Sequence, residues 1–483
     1  MPFIGRDFEL DFLDRQYTER SGALCVLYGR RRIGKTTLLT HWFETRRHPG
    51  FYWLATDTSS TALLRSLSAF VYREAHGEPP VDPEQAYPNW EELLREVIRL
   101  AGGRQEKLVM ILDEFTYAID AYPDLPHKLQ AAWDQALKDL PILLILSGSH
   151  IGMMENEILA RRAPLYGRAT GTLKLGPLPF KDVRAMFPRY DIEACVALYS
   201  VLGGVPYYLQ RMDPEASVVD NIVNRVLGWS ALIEDEPRLI LHDHFSQPRV
   251  YAAIIEQVAR GENSPKAIAQ DLDLEPATVS NYLNTLVSLG LLKREVPATI
   301  RDAERSRKSR YEITDPFLRF YYRFLAPQLP FIVRGAYSSV WKTIERHWRA
   351  FVGTHTFEEL CREWIYAAAE AGWLTFLPQN IGAHWGANEQ IDVVAVNWDE
   401  ALVLFGECKW KRASSLNEAE VRKLFERAEQ VQLTTRSGKP LERQYIFFSR
   451  AGFTEPAQAL ARSRNAMLVD LPMLDQGLAR VVR

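Results

Sequence analysis

The chain has 483 residues, 47% hydrophobic and 25% charged, which is enough apolar content for several packed cores, about three by the usual size of a domain. A formal net charge of −3 excludes a globally basic nucleic-acid binder, so any such contact has to come from local patches. Cys25, Cys195, Cys361 and Cys408 show no CxxC spacing, no apolar run is long enough for a bilayer, and the first residues lack a signal-peptide core; the expectation is a cytoplasmic protein with no disulfide framework, zinc site or membrane partner.

Phe3–Leu13 begins as a turn and continues as an amphipathic helix through Phe8, Phe12 and Leu13. Ala23–Leu39 then reads as strand, glycine-bounded loop and helix, and Gly29–Thr36 fits G-x-x-x-x-G-K-[ST] in that setting. Such a loop meets a polyphosphate with backbone N–H groups and a helix N-terminus. Gly29, Arg32, Gly34, Lys35, Thr36 and Thr37 are therefore candidate nucleotide-binding residues. The glycines permit the turns, Lys35 reaches the β- and γ-phosphates, and Thr36 offers a hydroxyl to Mg²⁺. ATP and Mg²⁺ are the expected cofactors.

Phe51–Leu54 is a strand, Leu63–Tyr72 a helix, Gly77–Pro88 a loop and Trp90–Ala101 a second helix. Leu108–Leu112 is an apolar strand running into Asp113 and Glu114, the form of a Walker B strand. Asp113 would hold the Mg²⁺ shell and Glu114 would polarise the attacking water, which favours hydrolysis. Pro141–Leu146 is another buried strand, ending in Ser147-Gly148-Ser149, where Ser147 or Ser149 is placed to sense the γ-phosphate. Arg161, Arg162 and Arg168 precede the strand Thr172–Leu175, and Arg168 is the preferred candidate for an arginine finger, in cis or from a second copy in a homo-oligomer. Asp182 to about Asp235 is mostly helical, interrupted at Gly203-Gly204-Val205-Pro206.

Gly5-Arg6-Asp7-x-Glu9-Leu10, Tyr28–Thr37, Leu112-Asp113-Glu114, Ser147-Gly148-Ser149, Tyr166-Gly167-Arg168 and Gly203–Leu209, in that order over roughly the first half, resemble the archaeal-type AAA+-related ATPases of prokaryotes close to the STAND signalling ATPases. The resemblance implies an α/β P-loop NTPase with a parallel sheet of order 5-1-4-3-2 and a helical lid. It also implies that Pro206, in the Gly-Gly-x-Pro motif, is a sensor near the nucleotide. Members usually carry a DUF234-type C-terminal region, and the second half of this chain is similar to that.

From Val250 the order is Tyr251–Val258 helix, Ser264–Leu272 helix, Pro276–Leu286 helix, then strands at Leu291–Arg294 and Tyr311–Ile313, which is a winged helix-turn-helix. Thr278, Ser280, Asn281 and Asn284 give the third helix a polar face, and Arg301, Arg305, Arg307, Lys308 and Arg310 make a basic, mobile wing. DNA is one expected partner and protein docking the other. Asp315–Phe324 is an aromatic helix whose spacing suits a core face.

The last region opens with a helical pattern over Ser339–Ala369 and continues with strands at Leu374–Phe376, Gln390–Val396, Ala401–Trp410, Tyr445–Phe448 and Met467–Asp470, with a helix at Glu418–Leu433. Ile391-Asp392-Val393 and Gly406-Glu407-Cys408-Lys409-Trp410 resemble the Asp…Glu-x-Lys signature of PD-(D/E)xK nucleases. Strand alternation puts Glu407 and Lys409 on one face, and a tight connection would return Asp392 beside Glu407. The resemblance implies a Mg²⁺ or Mn²⁺ held by Asp392 and Glu407, with Lys409 steadying the attacking water or phosphoryl charge. It assigns the helix-borne acid to Glu358, with Glu359 as the near rival. The expected parts are an ATPase core over 1–176, a helical lid over 177–235, a winged helix and connector over 236–330 and a nuclease-like α/β domain over 331–483. Three functions fit: an ATP-hydrolysing protein that binds and cleaves DNA, an ATP-switched DNA-binding regulator, and a STAND-like scaffold with a protein partner.

Overall fold

The computed structural model describes residues 3–78, 80, 87–242, 245, 248–306, 308–386, 389–411 and 415–480. Most of the expected Gly77–Pro88 loop, and Arg307 of the wing, lie outside the described residues. The chain forms two compact units, Met1–Leu178 with Val205–Gln210, and Pro179–Gly204 with Arg211–Arg483.

The first unit is built on a parallel sheet of β1 (Ala23–Tyr28), β2 (Gly50–Leu54), β3 (Leu108–Asp113), β4 (Ile142–Gly148) and β5 (Gly171–Lys174) in the order β2-β3-β4-β1-β5. This is the expected order 5-1-4-3-2. Every residue of β1, β3 and β4 is buried, which explains why these strands read as continuous apolar runs: helices cover both faces. Helices α1 (Asp7–Thr18), α2 (Lys35–Arg46) and α3 (Leu125–Gln135) join Ser60–His76 and Trp90–Gly102 in that cover. Trp90–Gly102 shows why such segments are helical. Asn89 caps its first turn by accepting from Glu92 N, and Leu93, Leu94, Val97, Leu100 and Ala101 make one buried stripe. Because all five strands run the same way, the carboxyl ends of β1, β3 and β4 meet at one edge, and the loops after them supply the site.

In the second unit, Pro248–Arg260, Pro265–Asp271, α4 (Pro276–Ser288), β6 (Leu292–Glu295) and β7 (Arg310–Ile313) form the winged helix. Val279, Leu283 and Leu286 bury one stripe of α4, leaving Thr278, Asn281 and Asn284 exposed, while Ser280 Oγ turns back to Pro276 O. Phe317, Phe320, Tyr321, Tyr322 and Phe324 of the aromatic helix are buried, as their spacing predicts. The second sheet holds β8 (Asn380–Trp385), β9 (Gln390–Asn397), β10 (Leu402–Lys409), β11 (Glu442–Ser449) and β12 (Met467–Asp470), in the order β12-β11-β10-β9-β8. β8, β9 and β10 are antiparallel and β10, β11 and β12 parallel, with α5 (Glu358–Glu370) and α6 (Glu418–Gln430) packed against them.

Three expectations change here. Leu374–Phe376 is not a strand: Leu374 and Phe376 anchor a loop, and the edge strand is β8, whose bulge near Gly382 and mixed burial erase the alternation that would have marked it. Helices Glu455–Ser463 and Leu471–Leu478 were not expected, although Thr454 and Asp470 cap them and a proline opens each. The base of the wing, expected to stand free, is docked on the second sheet. Ala298 N donates to Ala383 O at 2.8 Å, Asn380 Nδ2 to Ala298 O at 2.9 Å, and Thr299 Oγ1 lies 2.7 Å from His384 Nδ1. The guanidinium of Arg310 stacks 4.6 Å from Trp385, and that of Arg301 4.4 Å from Trp398. The wing thus covers the open edge of β8. Among the described residues no helix is long and apolar enough to cross a membrane, and all four cysteines are free and buried.

Candidate functional site

The loop after β1 wraps its own lysine. Gly29 lies where a Cβ would meet Leu175 O at 2.4 Å, and Gly34, with φ of 95°, sits in the left-handed region that favours glycine. Lys35 opens α2 and is 5% exposed. Its ammonium donates to Gly29 O at 2.8 Å, Arg30 O at 3.2 Å and Ser149 Oγ at 2.7 Å. Burial lowers its pKa, against the opposing pull of Glu114 and Asp113. Thr36 Oγ1 and Tyr52 OH both donate to Asp113 Oδ2, at 2.6 and 2.5 Å. Glu114 is in the left-handed conformation at φ 51° and accepts from Ser149 N at 3.1 Å and from Ser149 Oγ. The hydroxyl and carboxylate oxygens of Thr36 and Asp113, already in contact, are the hard donors Mg²⁺ takes.

Ser149, rather than Ser147, joins Lys35 to Glu114; Ser147 is fully buried in β4 and its hydroxyl has no hydrogen-bond partner among the described residues. Pro206 returns to the loop, with its Cγ 3.6 Å from the place a Cβ on Gly34 would occupy. Beside it Arg30 donates to Tyr208 OH at 2.9 Å and the Arg32 guanidinium stacks 4.5 Å from the Tyr207 ring. Thr37 follows Thr36 on the first turn of α2. Arg168 is away from this cluster. It pairs with Asp134 of α3 through two bonds of 2.8 and 2.6 Å and donates to Pro164 O and Tyr166 O. Arg161 and Arg162 are exposed. Two supporting groups were not singled out from the sequence. Arg6 is buried and donates to Ile33 O at 2.9 Å and Gly176 O at 2.8 Å, bracing the loop, and Tyr52 holds Asp113. Arg6 has a signal in the Gly5-Arg6-Asp7-x-Glu9-Leu10 motif, but its bracing role is set by a turn in which Gly5 and Arg6 are both at positive φ.

On the second sheet, the antiparallel register Val393↔Gly406 sets Asp392 across from Glu407. Cys408 N donates to Asp392 Oδ2 at 3.0 Å, and Lys409 is ion-paired with Glu407 Oε1. Glu407 Oε2 is buried without a hydrogen bond among the described residues, with Arg427 Nη1 at 3.5 Å. Burial and the Asp392 charge raise the Glu407 pKa. The sequence neighbours on α5 meet opposite environments. Glu358 is pushed up to about 9 by burial and by Asp392. Glu359 is held at about 2, against its burial, by Arg319 at 3.0 Å and Lys293 at 3.1 Å. Arg362, also unforeseen, reaches Glu358 at 3.4 Å, Glu295 of β6 at 3.4 Å and Asp392 O at 3.1 Å. The Glu407 oxygen without a hydrogen bond and the raised pKa values of Glu407 and Glu358 beside Asp392 are what a hard cation would relieve. Among the described residues, no group of three or more His, Cys, Asp or Glu stands in a metal-holding arrangement. Asp392 and Glu407 are the pair that fits a cation, and Glu358 interacts electrostatically with Asp392.

Fold and site together define a P-loop ATPase domain joined to a winged helix and a mixed-sheet domain. Residues 3–212 match the family described as an ATPase domain predominantly from Archaea, 251–296 the IclR helix-turn-helix domain, and 321–424 the DUF234 family, archaeal and bacterial proteins of unknown function. An uncharacterized protein of Methanocaldococcus jannaschii is 30% identical over 424 residues, 88% of this chain and 90% of that one. The chain belongs to the archaeal-type ATPase family with a DUF234 C-terminal region. Among solved structures, the Walker-type ATPase of Pyrococcus abyssi is 19% identical with a TM-score of 0.49, covering 66% of this chain and 96% of that one. The Aeropyrum pernix ORC2 protein is 15% identical with a TM-score of 0.43, covering 69% and 94%.

The two acids of α5 make a paired prediction. The folded pKa of Glu358 is raised, so its stabilising effect is complete below the ordinary value of 4.5 and is lost as pH climbs toward about 9. In chelator-containing buffer, Glu358→Gln should gain in melting temperature over the parent as pH rises from 5 to 9. Glu359 is lowered, so its contribution is present above 4.5 and fades as pH falls toward 2. Glu359→Gln should cost about 2 kcal/mol at pH 7, because it strands Arg319 and Lys293, and the deficit should shrink on acidification. Denaturant melts of both variants across pH test the assignment, and equal behaviour of the two would overturn it.

Proposed function

We propose that this chain is an ATP hydrolase that binds DNA through its winged helix and cleaves it with a metal-dependent site on the second sheet. It would work in the cytoplasm through four parts, 1–176, 177–235, 236–330 and 331–483. The observation that carries the first step is the cluster in which Ser149 links Lys35 to Glu114 while Thr36 meets Asp113. In this reading Gly29, Arg32, Gly34, Lys35, Thr36 and Thr37 bind ATP, Asp113 and Thr36 hold Mg²⁺, and Glu114 orients the water. Ser149 or Ser147 senses the γ-phosphate, and Pro206 reports the loop's state. Arg168 would act as a finger toward a second copy only after leaving Asp134 and the two carbonyls that hold it, Pro164 O and Tyr166 O. Lys35→Ala should abolish nucleotide turnover. Glu114→Gln should keep ATP bound while slowing phosphate release by about 10²-fold or more. Wild-type turnover in Glu114→Gln would remove it from that role.

The nuclease step rests on the facing of Asp392 and Glu407, with Lys409 on the same strand face. When bound, Mg²⁺ or Mn²⁺ would supply charge for the attacked phosphate. The chain's own part is to present the two carboxylates and to hold Lys409 near the developing charge. Glu358 would join as the third acid. Plasmid nicking should disappear in Asp392→Ala, Glu407→Ala and Lys409→Ala alike while ATP turnover persists. Parent and variants equally inert with both metals and with or without ATP would leave the domain a scaffold.

The docked wing is the observation that favours the second reading, a regulator or STAND-like scaffold using the wing for protein contact. For DNA, α4 offers small polar groups, and Arg301, Arg305 (89% side-chain exposure, with Asp302 at 3.4 Å) and Lys308 of the wing are exposed; Arg301 is held on Trp398, which leaves Arg305 and Lys308 as the exposed wing cations without an aromatic contact. Replacing both with Ala should reduce the slope of log affinity against log salt by about two, uniformly across sequences. Anisotropy titrations of the full chain on duplex DNA at several salt concentrations measure it. An unchanged slope would favour protein docking.

A further inference from the structure

The turn joining β9 to β10 lies at the end of those strands opposite Asp392 and Glu407, about 17 Å away at the usual rise per residue. A cavity of about 630 Å³ opens there, lined by residues of the wing, this turn and the segment before β11. That volume is in the range of sites for small organic ligands. One wall is a preformed stack: the Arg301 guanidinium lies 4.4 Å from the Trp398 ring and is fixed by donating to Thr434 O at 2.7 Å. A guanidinium plane held in this way is a surface on which a nucleobase stacks. Another wall carries Arg436 and Lys439, whose side chains have no hydrogen-bond or ion-pair partner among the described residues. The two acids of the cavity are already engaged, Asp399 by Gln379 Nε2 at 2.6 Å and Glu400 by Asn397 Nδ2 at 2.6 Å. Each keeps a second oxygen that can accept from a sugar hydroxyl or an exocyclic amine. Stacking plane, unpaired cations and free acceptor oxygens are the complement of base, phosphate and ribose.

The geometry points to a second nucleotide-recognition site in this cavity, separate from the P-loop and from the paired acids, which binds a phosphorylated nucleoside unit either free or within a single nucleic-acid strand. Arg436 and Lys439 take the phosphate, Arg301 on Trp398 takes the base, and Asp399 and Glu400 read the sugar or base edge. Because Arg301 belongs to the wing, an occupied cavity tightens the wing's hold on the second sheet.

The test uses the full chain carrying Lys35→Ala, which removes the P-loop's hold on nucleotides. Calorimetry with AMP, and anisotropy with a labelled twelve-nucleotide oligothymidylate, are run on this parent and on the same chain with Arg436→Glu and Lys439→Glu. Both added changes are on exposed side chains, and a thermal melt checks the fold. The expected result is saturable binding of at least one probe that weakens by 10-fold or more in the charge-reversed chain. AMP binding with adenosine inactive identifies a free nucleotide as the ligand, and oligothymidylate binding without AMP identifies a strand. No binding of either probe below about 1 mM, or equal affinity in the charge-reversed chain, overturns the proposal. ATP turnover of Arg436→Glu/Lys439→Glu in the otherwise unaltered chain should match wild type, so failure here and failure of the ATPase reading are distinguishable.

Discussion

A buried ammonium group organises the first unit. Removing a charge from water is tolerated only where lone pairs and opposite charge surround it. Lys35 meets that demand with two carbonyls of its own loop, with Ser149 from the end of β4, and with the charges of Glu114 and Asp113 at the end of β3. No single strand could supply all of these groups. The parallel sheet brings three strand ends to one edge, and the lysine fastens them there. Under the proposed reading, the carbonyls around Lys35 stand where an incoming phosphate would offer better acceptors, and Ser149, shared by Lys35 and Glu114, is the group that would register the exchange.

The same electrostatic rule sorts the acids of α5. Glu358 and Glu359 are adjacent in sequence and of one type, yet the first faces Asp392 and favours its proton, while the second faces Arg319 and Lys293 and sheds it. Glu359 ties α5 to the winged helix through Lys293 of β6, which also meets Glu295 and Glu312 at 2.8 and 3.1 Å. Glu359 is thus a structural acid, and Glu358 is the one left beside the paired carboxylates. Arg362, touching Glu295, Glu358 and the Asp392 carbonyl, spans both roles.

Much of this was legible in the chain. The continuous apolar runs of β1, β3 and β4 predict two-sided burial, and the glycine spacing before Lys35 predicts the loop. The apolar strands β9 and β10, joined by a short turn, predict that Asp392 and Glu407 face each other. What escaped has physical causes. β8 is an edge strand with a bulge, so no alternation marks it. Arg6 looks like the start of an amphipathic helix, and only its left-handed turn sends its guanidinium to Ile33 O. Which serine meets Lys35 depends on where β4 ends, and that is a tertiary fact: Ser147 is still inside the sheet, whereas Ser149 has left it.

The wing shows most clearly how composition differs from surface. Its basic residues make it the strongest nucleic-acid signal in the chain, but a cation counts toward phosphate affinity only if its charge is accessible. Arg310 and Arg301 are held in place on Trp385 and Trp398, Arg310 partly buried and Arg301 still exposed, and Arg294 of β6 donates to Ala303 O and Ser306 O inside the wing. Those contacts seal an open strand edge, which an isolated wing would not do, and bring Ala298 into the core of the second sheet. The same residues therefore serve cohesion first, and recognition only through the groups left over: the exposed face of α4, Arg305 and Lys308, and the cavity beside Arg301. Tryptophans at the edge strand and the turn, rather than the number of arginines, decide how much of the wing faces a ligand.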